Sequence, residues 1–232
     1  MKYFTPAEAP VYVNRGNKAF VDFTKSFSGA VILDVGCGIG GNANLIKEFN
    51  PSAKIYGITL SQAEQVAASK NMEKCWIRDI ETQTLDILKG YSFDMILFCH
   101  VLEHFRNPRE CLLKFLPFLR PEGAIFVAVP NVLFWRQRWQ FCLGKFDYTD
   151  GGTLDCRHLR FFTFPTVETQ LFPQRGPLRV KKKEASGTVP LWILRRYIFP
   201  EKLSEKIDRL GSRAAPNLFG SQIFIEAMRG GA

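Results

Sequence analysis

A glycine-rich turn is the strongest chemical signal in the sequence. Gly36, Gly38 and Gly40 alternate with other residues directly after the apolar run 31–35, which only Asp34 interrupts. Glycines allow a tight turn and a close approach of a ligand to the backbone, because a Cβ would block either one. A strand, a glycine turn and a helix form the arrangement that binds nucleotide-like ligands at the carboxyl edge of a sheet. The turn alone does not identify the ligand, because dinucleotide-binding folds share it.

The histidines are the candidates for proton transfer, and the chain has three of them. His104 follows the apolar run 93–99, and His158 lies three residues after Asp155. Histidine titrates near neutral pH, and a neighbouring carboxylate can orient it. We therefore predict His104, and His158 with Asp155, as catalytic groups. Each histidine could instead be structural and hydrogen-bonded to the backbone.

Strands and helices alternate through the first 130 residues, which predicts an α/β fold with a parallel sheet and right-handed crossovers. We expect helix 61–70 to begin with a capping box formed by Ser61 and Glu64. A turn is expected at 121–123. The predicted strands cover 31–35, 53–58, 74–78, 93–99 and 124–129, and the further helices begin near 42 and span 107–118.

The alternation lapses after Asn131, and residues 131–164 contain nine aromatic side chains interleaved with arginines and one lysine. Such a segment beyond the carboxyl end of a strand is typical of a lid or a substrate-pocket wall. Trp135, Tyr148 and Arg160 are its predicted substrate contacts. A small accessory core or a dimer contact is the alternative. The remaining elements are a helix at 166–172, a strand at 178–184, a basic amphipathic segment at 190–213 and a last strand at 220–228.

Composition and charge limit the class of protein and its partners. Hydrophobic residues make up 46% of the 232 residues, and neither a signal peptide nor a run of about 20 apolar residues is visible. We expect a soluble, cytoplasmic protein whose six cysteines are reduced thiols, with no disulfide and no metal site. Residues 131–232 carry 17 basic and 9 acidic side chains, against 14 and 13 in residues 1–130. The basic half could attract phosphates, nucleic acid, an anionic membrane or an acidic substrate, or be only a solvated face.

Four segments, taken together, resemble the class I S-adenosylmethionine-dependent methyltransferases of the type 11/23, small-molecule branch. The resemblance implies a Rossmann-like, seven-stranded, mostly parallel sheet with helices on both faces, an antiparallel last strand and an aromatic-rich insertion after strand five. It divides the single domain into an N-terminal cap (1–29), a cofactor-binding core (30–130), a lid or substrate insertion (131–165) and a C-terminal part (166–232). The segments are Leu33-Asp-Val-Gly-Cys-Gly-Ile-Gly40, Asp79-Ile80, the run 93–104 that ends in Leu-Glu-His, and Leu119-Arg-Pro-Glu-Gly123.

The resemblance assigns the cofactor site residue by residue. Most members end strand two with an acidic residue that holds the ribose hydroxyls, whereas this chain has Thr59. The segment Gly-Ile-Thr-Leu-Ser at 57–61 resembles the branch of cyclopropane-fatty-acid synthases and tocopherol methyltransferases, in which a Gln five residues after the Thr meets the ribose. Glu64 stands at that position, and it either contacts the ribose or only caps the helix. The implied cofactor-binding residues are Asp34, Gly36, Cys37, Gly38, Gly40, Thr59, Leu60, Glu64, Asp79, Ile80, Cys99 and His100.

The predicted reaction moves the methyl of S-adenosylmethionine to an oxygen or nitrogen of a small-molecule acceptor, leaving S-adenosylhomocysteine. The acceptor could be anionic, carrier-bound or lipid-like, and deprotonation would be assisted by histidine. The basic half leaves contact with a membrane or carrier protein open, and the chain could be a monomer or a homodimer. Tyr12, Asn14 and Arg15 either reach the ligand or form a solvated lead-in.

Three other functions are weighed against this one. A nucleic-acid methyltransferase is disfavoured because an Asn-Pro-Pro-aromatic signature does not follow strand four. A non-catalytic cofactor-binding subunit would bind S-adenosylmethionine without turnover. A nicotinamide dehydrogenase would need an acidic residue where Thr59 stands.

Overall fold

The architecture is a seven-stranded sheet, seen in a computed structural model that describes residues 11, 15–27, 30–191 and 200–230. The strand order is β3-β2-β1-β4-β5-β7-β6. The first five strands are parallel, and β7 is antiparallel to both of its neighbours. This arrangement confirms the predicted fold class. The strands are β1 (Val31–Val35), β2 (Lys54–Thr59), β3 (Lys74–Ile77), β4 (Phe93–Cys99), β5 (Leu119–Pro130), β6 (Leu178–Gly187) and β7 (Gly220–Arg229).

The helices are mostly short and connect successive strands. The predicted helix 107–118 is divided: α4 ends at Leu113, and a separate 3-10 turn spans Leu116–Phe118. Pro117 explains the division, because a proline has no N–H to bond the carbonyl four residues earlier, here Leu113, and its ring crowds that carbonyl. In the described residues the α-helices are α1 (Lys18–Thr24), α2 (Gly41–Phe49), α3 (Gln62–Ala68), α4 (Pro108–Leu113), α5 (Trp135–Cys142), α6 (Val167–Leu171), α7 (Glu201–Ala214) and α8 (Pro216–Phe219), with further 3-10 turns at Asp86–Leu88 and Leu102–His104.

Two apolar cores cover the two faces of the sheet. Leu33 packs into one core and the adjacent Ile32 into the other, because successive side chains of a strand point to opposite faces. In the second core, Phe20 and Phe23 of α1 pack against Phe224 of β7. A sheet buried on both faces explains why the central strands are almost continuously apolar.

Strand β5 is longer than the sequence predicts. The expected turn at 121–123 is wrong, since the strand runs from Leu119 without a break. Its pairing with β4 shifts register between Phe93 and Met95. This irregularity accommodates Pro121, which has no backbone N–H to donate to the neighbouring strand. Prolines within sheets are found at bulges and edges for this reason.

The segment after β5 leaves the sheet at Asn131 and returns beside it. A bridge joins Asn131 to Phe162, and the Leu159 and Arg160 amides donate to the Glu103 carbonyl at 2.8 and 3.0 Å. None of the helices among the described residues is long and apolar enough to cross a membrane. Tyr12 and Asn14 lie outside the described residues, as do positions 192–199 of the predicted amphipathic segment, of which α7 forms the described part.

Candidate active site

The glycine turn lies at the carboxyl end of β1 and has the backbone that only glycine adopts easily. Gly36, Gly38 and Gly40 have φ of 73°, 54° and 86°, in the left-handed region. The Gly36 amide donates to the Ile58 carbonyl of β2 at 2.8 Å, which holds the turn against the neighbouring strand. A Cβ on Gly36 would come within 2.7 Å of Val101. The turn can therefore carry little besides glycine at these positions.

Asp34 is a fully buried carboxyl just before this turn. One oxygen, Oδ2, accepts from the Asn42 amide at 3.4 Å, whereas Oδ1 has no hydrogen-bond partner among the described residues. Burial raises the pKa of Asp34 to about 7, although the Asn42 bond works the other way. Asn42 in turn accepts from the Asn17 backbone at 2.9 Å. An unpartnered acceptor in this position fits a donor supplied by a ligand.

Thr59 and Glu64 meet at the end of β2. The Thr59 hydroxyl donates to the Glu64 carboxylate, and both side chains are buried. The expected capping box is wrong, because the Ser61 side chain makes no capping bond and Glu64 turns toward Thr59 instead. Leu60, between them, is 54% exposed.

Asp79 and Ile80 follow β3, which pairs with β2 on the side opposite to β1. The Asp79 carboxylate accepts from the Glu81 amide at 2.9 Å and from the Thr82 hydroxyl at 2.7 Å, so it orders the turn that follows the strand. Ile80 is buried. These contacts define the position of Asp79 but leave its predicted adenine contact as a prediction.

His100, just after β4, has an unusual backbone and a side chain bonded on both nitrogens. Its φ of 54° is in the left-handed region, where a non-glycine residue is uncommon. Nδ1 lies 3.3 Å from Glu103 Oε1, and Nε2 lies 2.8 Å from Gln222 Oε1 and 3.2 Å from Asn17 Nδ2. Burial opposes the charge on the ring, but the bonds to Glu103 and Gln222 outweigh it and raise the pKa of His100.

Glu103 is the centre of a cluster that includes both predicted catalytic histidines. Its carboxylate is 1% exposed, and Oε1 lies 3.9 Å from His158 Nε2. The His104 and His158 rings are 4.8 Å apart, edge to face. Nδ1 of His104 lies 3.3 Å from the Arg157 carbonyl, and Nδ1 of His158 lies 3.0 Å from the Thr153 carbonyl. Burial lowers the pKa of His104, which favours the neutral ring.

The expected pairing of Asp155 with His158 is wrong. The Asp155 carboxylate instead accepts from Arg157 Nε at 2.8 Å and Nη2 at 2.6 Å. These bonds lower the pKa of Asp155 to about 2. A guanidinium two residues away binds the carboxylate through two nitrogens, and this is stronger than a single contact with an imidazole. The carboxylate nearest to His158 is instead that of Glu103, whose Oε1 lies 3.9 Å from Nε2, at ion-pair rather than hydrogen-bond distance.

Glu103, His104 and His158 also have the residue types of a metal site. One potential ligand atom from each lies within 4.8 Å of the other two. Histidines that donate through Nδ1 to a carbonyl present Nε2 outward, as metal-binding histidines do. The arrangement can therefore either move a proton or hold a divalent cation.

The predicted substrate residues are separated in the structure. Trp135 donates from Nε1 to the Thr188 carbonyl at 2.7 Å, and Tyr148, 58% exposed, packs edge to face on Phe146. Tyr148 lies on the surface, whereas Trp135 is half-buried and lines a groove, so its substrate contact stays a prediction. Arg160, by contrast, is tied to the loop after β4, since its side chain donates to the Arg106 carbonyl.

Four functional candidates were missed by the sequence reasoning: Asn17, Glu103, Asn131 and Gln222. The fully buried Asn131 side chain donates to the Gly220 carbonyl at 2.7 Å and accepts from the Leu133 amide at 3.1 Å, which fixes the start of the insertion. Asn17 and Gln222 lie far from His100 in the chain, so no local pattern reveals them. Glu103 was visible only as part of the Leu-Glu-His run.

A sheet of this order, with a glycine turn after β1, is the arrangement of a methyltransferase, and a family model described as a methyltransferase domain matches residues 12–171. The chain belongs to this family. The resemblance to class I S-adenosylmethionine-dependent methyltransferases is thereby confirmed, as are the enzyme class and S-adenosylmethionine as the cofactor.

Relatives of the chain include one that is similar over most of its length. The uncharacterized protein RP028 of Rickettsia prowazekii is 24% identical over 202 residues, covering 82% of this chain and 80% of that one. A ubiquinone biosynthesis O-methyltransferase of Caulobacter vibrioides is 33% identical over 119 residues, covering 45% of this chain and 42% of the relative. This chain thus spans less than half of that enzyme.

Among solved structures, the plantazolicin methyltransferase BpumL in complex with S-adenosylhomocysteine has a similar fold. The TM-score is 0.57 at 21% identity, over 92% of this chain and 81% of BpumL. At that identity the likeness supports the fold and leaves the acceptor open.

Proposed function

We propose that the protein methylates an oxygen or nitrogen of a small-molecule acceptor, and that the His104–His158 pair beside Glu103 removes the acceptor proton. The observation that carries this proposal is the cluster itself. It lies directly after β4, at the carboxyl edge of the sheet, and it unites a buried carboxylate with two imidazoles. Ligands of open α/β sheets bind at this edge.

The proposed cofactor residues fit the group they would hold. The glycine turn offers backbone without side chains, Asp34 Oδ1 is an acceptor in need of a donor, and the Thr59–Glu64 pair offers buried oxygens for ribose hydroxyls. Cys37, Gly38, Leu60, Ile80, Cys99 and His100 complete the proposed set with Asp79. The bound cofactor supplies a methyl group that its sulfonium already makes electrophilic. The protein must then align the acceptor, exclude water and take up a proton.

The tautomers of the two histidines suit a base. An Nδ1–H that donates to a backbone carbonyl leaves the lone pair of that ring on Nε2. This holds for His104 through Arg157 and for His158 through Thr153. The lowered pKa of His104 keeps its ring neutral at physiological pH. The Glu103 carboxylate lies 3.9 Å from His158 Nε2, at ion-pair distance from the proposed base.

A small acceptor with an acidic hydroxyl or an amine agrees best with this cluster. Arg160, bonded through its amide to the Glu103 carbonyl, is the proposed contact for an anionic group of the acceptor. The Caulobacter relative is a ubiquinone biosynthesis O-methyltransferase, which makes phenolic acceptors the first to try.

The test is to replace His158 by Ala and His104 by Ala and to follow S-adenosylhomocysteine formation with a panel of phenols, carboxylates and amines. We expect each variant to lose turnover by about a hundredfold or more, because general-base catalysis contributes that much. Affinity for S-adenosylmethionine should stay within a few-fold. Cys156→Ala, in the same turn and exposed, is the matched control and should keep full turnover.

Treatment with a chelator distinguishes proton transfer from metal chemistry at the same residues. Turnover that survives chelation supports the histidine base. Loss that is restored by a divalent cation would instead assign Glu103, His104 and His158 as its ligands. Unchanged turnover in both histidine variants contradicts the proposal. Binding of S-adenosylmethionine without product from any acceptor would favour a non-catalytic subunit.

A further inference from the structure

The segment 135–148 carries an unusual amount of exposed apolar surface. Helix α5 has no buried residue, although four of its eight side chains are aromatic or cysteine. Trp139, Leu143, Phe146 and Tyr148 are exposed by 64%, 56%, 52% and 58%. We call these four side chains the aromatic surface. Apolar residues scattered singly on a protein are ordinary, whereas a contiguous group of this kind marks an interaction site.

The aromatic surface adjoins a groove, and two of its rings contact neighbouring rings. Phe146 stacks on Phe141 at 5.4 Å between ring centres, and Tyr148 packs edge to face on Phe146 at 5.6 Å. Trp139 also lines an open groove of about 420 Å³ together with Trp135, Arg138, Cys142 and Pro190. Phe146 and Tyr148 are thus held by ring contacts rather than by burial in the core.

Segment 135–148 carries three basic side chains, Arg136, Arg138 and Lys145, against one acidic side chain, Asp147, so its net charge is +2. Arg136 is exposed and places its guanidinium 5.4 Å from the centre of the Trp135 ring, and Lys145 is exposed next to Phe146. The part of the chain after residue 130 carries a net charge of +8, whereas the first 130 residues carry +1. Tryptophan and tyrosine prefer the boundary between lipid and water, and lysine and arginine are attracted to anionic headgroups.

The position of the surface agrees with a role beside the active site. The segment follows Asn131, at the carboxyl end of β5, and the chain that returns to the sheet after it is bonded to the Glu103 carbonyl through the Leu159 and Arg160 amides. A bilayer against the aromatic surface would therefore lie next to the edge of the sheet where the proposed site is located.

We propose that the aromatic surface docks the protein on an anionic lipid bilayer, with its rings at the level of the headgroups. An anionic bilayer suits this surface better than a second copy of this chain does, because the basic halves of two copies would repel each other. The inference depends on the surface and not on the acceptor chemistry proposed above.

The experiment is co-sedimentation of the full chain with vesicles of phosphatidylcholine, alone and with added phosphatidylglycerol. We expect binding to the anionic vesicles that weakens as salt is added. The double variant Trp139→Ser, Phe146→Ser should bind at least about tenfold more weakly, since interfacial binding scales with buried apolar area. Lys145→Glu should also weaken binding.

Val66→Ser is the matched control, because Val66 is 59% exposed on α3, outside the aromatic surface. This variant should bind as the unaltered chain does. All variants replace exposed side chains, and unchanged thermal unfolding verifies their folding. No binding to anionic vesicles, equal binding by the double variant, or self-association that the double variant abolishes would each overturn the proposal. Cofactor binding, measured in parallel, tests the methyltransferase site independently.

Discussion

Asp34 illustrates how a single residue can be unfavourable for the empty protein and useful to a ligand. It is a carboxyl at 0% exposure, one of its oxygens has no hydrogen-bond partner in the part of the chain that the structure describes, and its pKa of about 7 lies well above the ordinary 3.8. A group whose pKa is raised on folding stabilises the folded state below its unfolded pKa, and this contribution is lost as pH rises to the folded pKa. For Asp34 the loss occurs between about pH 4 and pH 7.

We predict that Asp34→Asn stabilises the cofactor-free protein above pH 7 and has little effect near pH 4. The Asn side chain matches the protonated carboxyl in shape and cannot ionise, so it avoids a loss of about 1.4 kcal/mol per pH unit across that interval. Thermal unfolding of both proteins across this pH range measures the difference. Affinity for S-adenosylmethionine should fall in the same variant. A stability gain that is equal at pH 4 and pH 8 contradicts this account.

At the scale of single residues, the sequence predicts site residues that lie close together in the chain. It does not predict partners that only the tertiary fold brings together. The glycines and Asp34 could be chosen because they surround one turn. The partner of His158 could not, since Asp155 was nearer in the chain but was bound by Arg157. Glu103 approaches His158 instead because residues 155–160 fold back onto the loop after β4.

At the scale of elements, the turn between β1 and α2 can be tested with two glycines of similar backbone. Gly36 and Gly90 have φ of 73° and 83°, so alanine at either position strains the backbone by about 1–2 kcal/mol. A Cβ on Gly36 meets Val101 at 2.7 Å, whereas a Cβ on Gly90 meets nothing within 4 Å. Gly36 also lies in the proposed cofactor site.

We predict that Gly36→Ala weakens S-adenosylmethionine binding about tenfold or more, because the added methyl group moves the turn from which backbone amides approach the ligand. Gly90→Ala should keep the affinity and show only the loss in stability. Isothermal titration calorimetry measures both. Equal affinities of the two variants would mean that Gly36 is needed for the turn but not for the ligand.

Strands were easier to predict than the ends of helices. Buried parallel strands appear as unbroken apolar runs, and β1 and β4 have the predicted limits. Two predictions were wrong because of prolines. The predicted helix 107–118 gave too little weight to Pro117, and the predicted turn at 121–123 gave too much weight to Pro121. One proline divided a helix, whereas the other was accommodated in a strand with a register shift.

At the scale of the whole molecule, the exposure of each cysteine depends on how the helices cover the sheet. Cys142 and Cys156 are exposed, Cys99 is intermediate, and Cys37, Cys75 and Cys111 are buried. Burial raises the pKa of Cys111 to about 11, so its reactive thiolate is scarce at neutral pH.

We predict that two thiols of the native protein react rapidly with a disulfide reagent at neutral pH and that six react after denaturation. Cys142→Ser and Cys156→Ser should each remove one rapid equivalent. Six rapid equivalents in the native protein would show that the helices do not protect the two faces of the sheet. Fewer than six after denaturation would show that a disulfide had formed.

The place of β7 in the sheet has a consequence for biosynthesis. This strand, near the carboxyl end of the described residues, lies between β5 and β6 and is the neighbour through which β6 joins the sheet. The ribosome therefore releases β6 well before the strand it must pair with, and such non-local pairing is slow. Gln222 of β7 also bonds His100. When β7 enters the sheet, it therefore completes the sheet and positions His100 at the end of β4 in one step. A nascent chain stalled before β7 would have an open β5 edge and an unsupported His100, and a chaperone would have to shield that edge until translation is complete.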